Sequence, residues 1–518
     1  MLASFVAAGM LVSRVAGFAR QSLFAYVFGV RSDAADAFNA ALKIPNFLQN
    51  LLGEGVLSAS LIPVYSGLLA SDRERADRIA RAVLGILALI TSVTVVAGIA
   101  FAPAITSLVA TGWVGPKRDL TILLVRIFFP GVGLLVISAW CLAILNSHHR
   151  FFLSYVAPAC WNGALIAVLL HFRHAPADEA TRVAIALAWG ATVGAALQLA
   201  VQIPSVWRIM ASVDGRSRSD IAEPVRRVLL TSIPVIFTRG VVQISSFIDG
   251  SIATFLSTGA PTALANAQSL YQMPVALFGM AFSSAALPTM SAENAAKATD
   301  AMRARLAASQ ETIAVLVVPS MVAFLALGDV MVAMLFQHGR FTRQDTLFVW
   351  AIVAGSAVGL LATTVGRLYA STFYALGDTK TPTWFAFIRV VLVAVLGYLL
   401  ALPLPRAMGW PVEWGTVGLT VSAGAAGWVE FTLLRSALRK RLGPVTLPGV
   451  IVAKAWAMAV ASAGIATGLR WVIPVEMTIL RGLVIVGTYG CLYLALAQAA
   501  GLMRATDFAR RALRMRRK

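Results

Sequence analysis

Charge is what this chain is short of. Asp, Glu, Lys and Arg make up 13% of 518 residues, against 59% hydrophobic residues and a mean hydropathy of +0.80. A soluble domain carries roughly 25% charged residues, so a water-soluble protein of this size is excluded. Acids are scarcer than bases, 23 against 43, for a net charge of +20. In a soluble protein that excess would suggest nucleic acid. Here no polar stretch is large enough to carry a nucleic-acid-binding domain, and the basic residues read as loop charges on one face of a membrane. There are three cysteines, Cys141, Cys160 and Cys491. They lie in apolar surroundings without metal-ligand spacing, which leaves no disulfide framework and no metal site. The five histidines lie near loops with no carboxylate at ligand spacing. No nucleophile elbow, phosphate loop or catalytic carboxylate pair is present, so no catalytic residue and no cofactor is expected. The first apolar stretch contains Arg14 and Arg20 and lacks a small-residue cleavage pattern; it reads as a retained helix.

What is there is a succession of apolar runs long enough to span a bilayer, about 20 residues each. Their bounds read 2–28, 34–69, 80–110, 120–147, 151–171, 183–205, 228–256, 262–290, 308–336, 346–376, 382–404, 414–434, 447–470 and 478–502. The expected class is an all-α polytopic membrane protein with about fourteen spans. Alternate connections differ in charge. Twenty-five Lys and Arg, seven of them after Gly501, fall on one set and nine on the other. The positive-inside rule then places both termini in the cytoplasm. The longest polar connection, 206–227, divides six segments (1–205) from eight. Pseudo-symmetric halves are a transporter habit. The expected division is 1–205 and 228–440 as six-helix bundles, 441–502 as two C-terminal helices and 503–518 as a basic tail near anionic lipid.

Several of the few charges sit inside these runs, where each costs at least about 2.5–3.5 kcal/mol at bilayer depth unless it faces protein or water. In segment two, Asp36, Asn39, Lys43, Asn46, Asn50 and Glu54 fall on one helical sector, and on a straight helix the stripe spans about 27 Å. Pro45 interrupts the hydrogen-bond ladder and is expected to bend the helix. The stripe reads either as a cavity lining or as a bonded seam between helices. Arg14 and Arg20, six apart with Gly17 between, read either as snorkelling interfacial groups or as guanidinium groups for phosphate oxygens. Segment seven carries Arg239 and Gln243 four apart, with Asp249 farther along the axis. These charges read either as ligand contacts or as members of an Arg–acid pair with segment one or two.

The strings Ser13-Arg14-Val15-Ala16-Gly17-Phe18-Ala19-Arg20, Asp36-Ala37-Phe38, Lys43-Ile44-Pro45-Asn46 and Glu54-Gly55 resemble the lipid II flippase family known as MurJ or MviN. Arg150-Phe151, Ala157-Pro158, Asn162, Leu197-Gln198, Gln243-Ile244-Ser245, Leu335-Phe336-Gln337 and Lys380-Thr381-Pro382 extend the likeness over essentially the whole chain. The resemblance implies fourteen helices in two bundles around a central cavity, within the multidrug and oligosaccharide exporter superfamily. It implies a bacterial inner-membrane protein, acting as a monomer among membrane lipids. The cargo would be lipid II, an undecaprenyl-pyrophosphate-linked disaccharide-peptide, carried by alternating access from the cytoplasmic to the outer leaflet with cavity cations on the pyrophosphate. It implies a transporter and not an enzyme. Arg14, Arg20, Asp36, Lys43 and Glu54 match family positions.

The chain departs from the family pattern where cations are usual. Gln49 and Asn50 replace a basic pair, Ser269 stands for an arginine ahead of Pro274, and Gln21 replaces an acid. These losses keep open a runner-up, an exporter of another polyprenyl-linked oligosaccharide or an amphipathic small molecule. A non-transporting scaffold and a polyprenyl-phosphate glycosyltransferase are the other classes weighed; the second would want an acid cluster at one membrane face. Arg239 lies where the family has an apolar residue, and we take it to restore the missing cavity charge. Arg239→Ala should abolish complementation of a bacterium depleted of its own flippase; normal growth would refute that role.

Overall fold

The structure, a computed structural model, describes residues 2–69, 71–210, 221–445, 448–471 and 478–502, with side chains omitted at 2–11, 54, 237–239, 241, 242, 245 and 246. Residues 211–220 of the 206–227 connection and the whole 503–518 tail lie outside the described residues. By contacts, the chain forms two compact units, Met1–Gly259 and Ala260–Lys518.

Unit 1 contains α1 (Leu2–Phe28), α2 (Asp33–Leu52), α3 (Glu54–Leu69), α4 (Arg73–Ala100), α5 (Ala102–Val109), α6 (Pro116–Ser147), α7 (Phe151–His171), α8 (Ala180–Met210) and α9 (Ala222–Ala253). Unit 2 contains α10 (Ala260–Pro274), a π-helical turn (Val275–Met280), α11 (Ala281–Ala295), α12 (Thr299–Ala326), α13 (Gly328–Phe336) and α14 (Arg343–Ala357). It continues with α15 (Leu360–Ala375), α16 (Lys380–Ala401), α17 (Pro403–Ala407), α18 (Gly415–Leu442), α19 (Gly449–Gly468) and α20 (Thr478–Ala499). No strand occurs among the described residues.

Each expected span falls on a helix or a pair of consecutive helices. Among the described residues, 11 helices are long and apolar enough to cross a membrane, and the pair α14 and α15, bent by 43°, makes 12. The other two expected spans coincide with α1 and α9, of 27 and 32 residues. Outward faces are apolar: on α4, Leu89, Val93 and Val96 are exposed at helical spacing while Leu87 and Thr91 are buried. A contiguous apolar face of that kind is a surface for lipid.

In unit 1, α6 is the central post, packed on α2, α3, α4 and α8, while α7 joins α1 to α8. Phe28, Phe24, Phe38 and Phe128 form a tilted and edge-on aromatic run, with successive centroids 4.7, 5.4 and 5.4 Å apart. That run ties α1 and α2 to α6, and such geometries add to plain burial. Small residues bring backbones together: a Cβ on Gly194 of α8 would lie 3.2 Å from Trp161 Cα of α7. In unit 2, Gly359 at the α14–α15 bend would clash with Gly424 of α18 if either carried a side chain. The last helix, α20, docks on α12 through two hydroxyls, Tyr489 donating to Pro319 O at 2.7 Å and Tyr493 to Val315 O at 2.6 Å. Arg470 grips buried Asp329 with both terminal nitrogens, at 3.1 and 2.8 Å. This fork is the strong geometry for an arginine–carboxylate pair.

At one end of unit 1, Tyr65 donates to buried Asp77 Oδ1 at 2.7 Å and lies 2.9 Å from His148 Nε2, in the α6–α7 connection. Burial, then the nearby Arg73 charge, hold the His148 imidazole below its ordinary range. Its proton affinity is thus lower folded than unfolded, so its contribution is complete above about pH 6.5 and lost as pH falls through that value. The purified protein should lose thermal stability between about pH 7 and pH 5, and His148→Gln should flatten that decline. An unchanged slope in the variant would refute the assignment.

Candidate functional site

The stripe in segment two does not run on one helix. The helix continues through Pro45 and ends at Leu52; Gly53 (φ −94°, ψ −141°) donates its N–H to Gln49 O at 2.8 Å, and α3 begins at Glu54. Only glycine fits this conformation, because a Cβ at position 53 would overlap Gln49 O. The stripe therefore occupies α2 from Asp36 to Asn50, and Glu54 belongs to another helix, with its side chain outside those described. Burial falls along it: Asp36 is fully buried, Asn39 and Lys43 are half-buried, and Asn46 and Asn50 are exposed.

Asp36 is held from two sides. Lys117 Nζ of α6 lies 2.8 Å from Asp36 Oδ2 and 2.8 Å from Asp33 Oδ1, and the Gly259 N–H donates to Asp36 Oδ2 at 2.8 Å. Thr258 also donates to Asp33, at 3.0 Å, and the ammonium stands 4.4 Å from the Trp113 ring centroid. Together they fasten α2, the start of α6 and the last residues of unit 1. Gly259 has a φ of +97°, and a Cβ there would lie 3.0 Å from Val30 O, so only glycine delivers its N–H to the carboxylate comfortably. The sequence counted Lys117 among loop charges; the Gly115-Pro116 helix start just before it was the available sign that it is anchored.

Lys43 reaches from α2 to α9. Its Nζ lies 2.1 Å from where a Cβ on Gly250 would be, so the glycine makes room for the ammonium, which feels the charge of Asp249 next to it. Lys43 thus lies against Gly250 of α9 and within electrostatic reach of Asp249. Gln243 is half-buried on α9, and the Arg239 side chain lies outside those described.

Arg14 is exposed on α1, whereas Arg20 is half-buried against α7. Arg20 Nε donates to Asn162 Oδ1 at 3.1 Å, and its guanidinium sits 5.5 Å from the Trp161 ring centroid. Asn162 in turn donates to Pro158 O at 3.2 Å. One amide thereby orients the arginine and takes up the carbonyl one turn before it. Asn162 and Trp161, together with Asn46 and Gln49 of α2 and Thr192 and Gln198 of α8, line a cavity of about 100 Å³ inside unit 1. Pro45 and Pro158 also line it; each removes a helical N–H donor beside polar space. A water needs about 10–15 Å³ by this measure, so the cavity has room for several. Ligand pockets run from about 300 Å³ upward, so it is too small for a disaccharide-peptide. Behind it, Gln198 donates to Ser138 at 3.0 Å and Ser138 to Gln202 at 2.9 Å. In unit 2, Ser269 is half-buried and donates to Asn266 O at 2.7 Å.

Among the described residues no cluster of His, Cys, Asp or Glu could hold a metal ion. The arrangement offers ion pairs, amides and one oriented guanidinium, the means for binding a polar or anionic group.

The family model described as lipid II flippase MurJ matches residues 24–489. A probable lipid II flippase MurJ of Rhizobium tropici is 31% identical over 445 residues, 84% of this chain and 80% of that protein. The lipid II flippase MurJ of Burkholderia cenocepacia is 31% identical over 437 residues, 83% of this chain and 82% of that protein. The solved structure of a lipid II flippase MurJ in an inward closed conformation has a TM-score of 0.77 at 21% identity, covering 96% of this chain and 99% of that one. An inward-facing multidrug transporter of the MATE family has a TM-score of 0.66 at 18% identity, covering 81% and 96%.

Lys117→Met should lower stability by about 3 kcal/mol, because it leaves Asp36 buried without its counter-charge. The double variant Asp36→Asn, Lys117→Met should recover part of that loss in thermal denaturation. A single variant as stable as the parent would overturn the clamp.

Proposed function

The chain belongs to the lipid II flippase MurJ family, and from that premise we propose that it moves lipid II from the cytoplasmic to the outer leaflet of a bacterial inner membrane. The family match across nearly the whole chain is the observation that carries this reading. The physical task fits a transporter without bond-breaking chemistry. A pyrophosphate with a sugar-peptide head cannot cross hydrocarbon, while its prenyl tail can remain in it. The protein would supply cations and amides for the head and let the tail stay in lipid.

In this reading Arg14 and Arg20 meet the pyrophosphate, with Arg239 adding charge where Gln49, Asn50 and Ser269 supply none. Lys43, Glu54, Gln243 and Asp249 serve the polar path, and Asp36 acts through its clamp on α2. Alternating access in a monomer, fourteen spans and cytoplasmic termini belong to the same proposal. So does a functional division by pseudo-symmetry into 1–205 and 228–440, joined by 206–227 and followed by 441–502 and 503–518. A membrane potential acting on a cationic path contributes about 2.3 kcal/mol per charge per 100 mV, which can reset the empty carrier. Export of another polyprenyl-linked oligosaccharide is the second reading, favoured by the neutral Gln49 on the cavity wall and the neutral Ser269.

The test is complementation of a bacterium depleted of its own lipid II flippase, with membrane expression verified. Growth is expected with the parent chain. Arg20→Ala should abolish it, and Arg14→Ala should reduce it at equal expression. Full growth of both variants would remove the two arginines from the binding role, and failure of the parent despite verified expression would favour another lipid-linked substrate.

A further inference from the structure

Segment 346–376 drew no functional expectation from the sequence, yet it carries an arginine in the apolar run Leu360–Phe373. Arg367 stands near the middle of α15 with its side chain exposed. Its stem runs past the π-helical turn between α10 and α11: a Cβ on Gly279 would lie 3.6 Å from Arg367 Cδ, an ordinary contact distance. A π-turn inside a longer helix often marks a functional position. On the neighbouring helices, Arg389 of α16 donates to Glu430 of α18 at 3.0 Å, both within the middle of their spans. Arg367 is within electrostatic reach of Arg389, Tyr271 and Glu430, and Tyr374 is within reach of Glu430.

The charges do not balance. Two guanidinium groups stand within electrostatic reach of one carboxylate, and that carboxylate is hydrogen-bonded to Arg389. Among the described residues Arg367 has neither an ion pair nor a hydrogen bond. An arginine on hydrocarbon would carry a large penalty, so an intramembrane arginine without a partner faces water or an anionic ligand. Arg389 adds repulsion that a bound anion relieves, and the tyrosine hydroxyls are further donors. Arginine is also the side chain best shaped for the paired oxygens of phosphate or carboxylate.

We propose that Arg367, between the π-helical turn and the Arg389–Glu430 pair, is an anion-binding position in unit 2 that takes an acidic group of the transported lipid-linked molecule. The proposal rests on the transport reading above. The shared ligand chemistry is an oxyanion, either a diphosphate ester or a carboxylate of the head group.

Full-length protein in detergent would be titrated with undecaprenyl pyrophosphate, undecaprenol and lipid II, followed by native mass spectrometry, for the parent, Arg367→Gln and Arg367→Lys. Arg367→Gln should weaken undecaprenyl pyrophosphate by about tenfold, the worth of one charge-assisted contact, and leave undecaprenol unchanged. Arg367→Lys should retain most of the affinity. A loss confined to lipid II would support the site and assign the anion to a head-group carboxylate. A parent that binds lipid II, with a Gln variant equal to it for both anionic probes, overturns this site alone. Gln and Lys variants equally weak, with lowered melting temperatures, overturn it in favour of a packing role. A parent that binds neither anionic probe better than undecaprenol overturns the transport reading and this site together.

Discussion

A charge placed among apolar helices must be answered inside the protein, and much of the structure follows from how that is done. Asp36 is answered by Lys117 and a backbone N–H, Asp329 by the fork of Arg470, Glu430 by Arg389, and Arg20 by an amide and an indole face. Each answer joins different helices, so the few ionic groups act as fasteners in an interior that dispersion and small-residue packing otherwise hold. Such pairs contribute little net stability when formed and cost much when one partner is removed. They therefore specify which helix meets which, in a medium that gives little hydrophobic preference for one neighbour over another.

The same rule separates fastening charges from working ones. Asp36 and Lys117 are saturated and close to the end of unit 1. Farther along α2 the stripe opens, through half-buried Lys43 to exposed Asn46 and Asn50. One helix thus carries a fixed end and an accessible end, and the break at Gly53 releases α3 from the direction of α2. Arg20 holds an intermediate place, oriented by Asn162 on the wall of a cavity sized for water. A carrier whose cations were all paired internally would have nothing to offer an anion.

The class of fold was legible because periodicity and hydropathy are local: every expected span coincides with a helix or a pair. The polar sector of α2 was legible for the same reason. Its interruption was not, since Pro45 is the louder signal, while the break comes from the backbone conformation at Gly53. Lys117 and Asn162 were misread or left without a role because their meaning depends on partners 81 and 142 residues away. Arg367 was passed over because a lone arginine in an apolar run looks ordinary until the acid count around it is known. Segment seven was read for an Arg–acid pair with segment one or two; that Lys43 of α2 lies within reach of the Asp249 charge depends on a partner far away in the chain, which spacing within α9 does not show.

Gly53 has a genetic consequence. Any codon change that alters the residue adds a Cβ, and a Cβ there would overlap Gln49 O. The position carries no charge and no side chain, and it does not line the cavity inside unit 1. In a saturation screen it should nevertheless score with the least tolerant codons, while the exposed Asn50 three codons upstream accepts wide substitution. A ranking by mutational tolerance would place this hinge of the backbone among the most constrained positions of the chain, though its role is conformational alone.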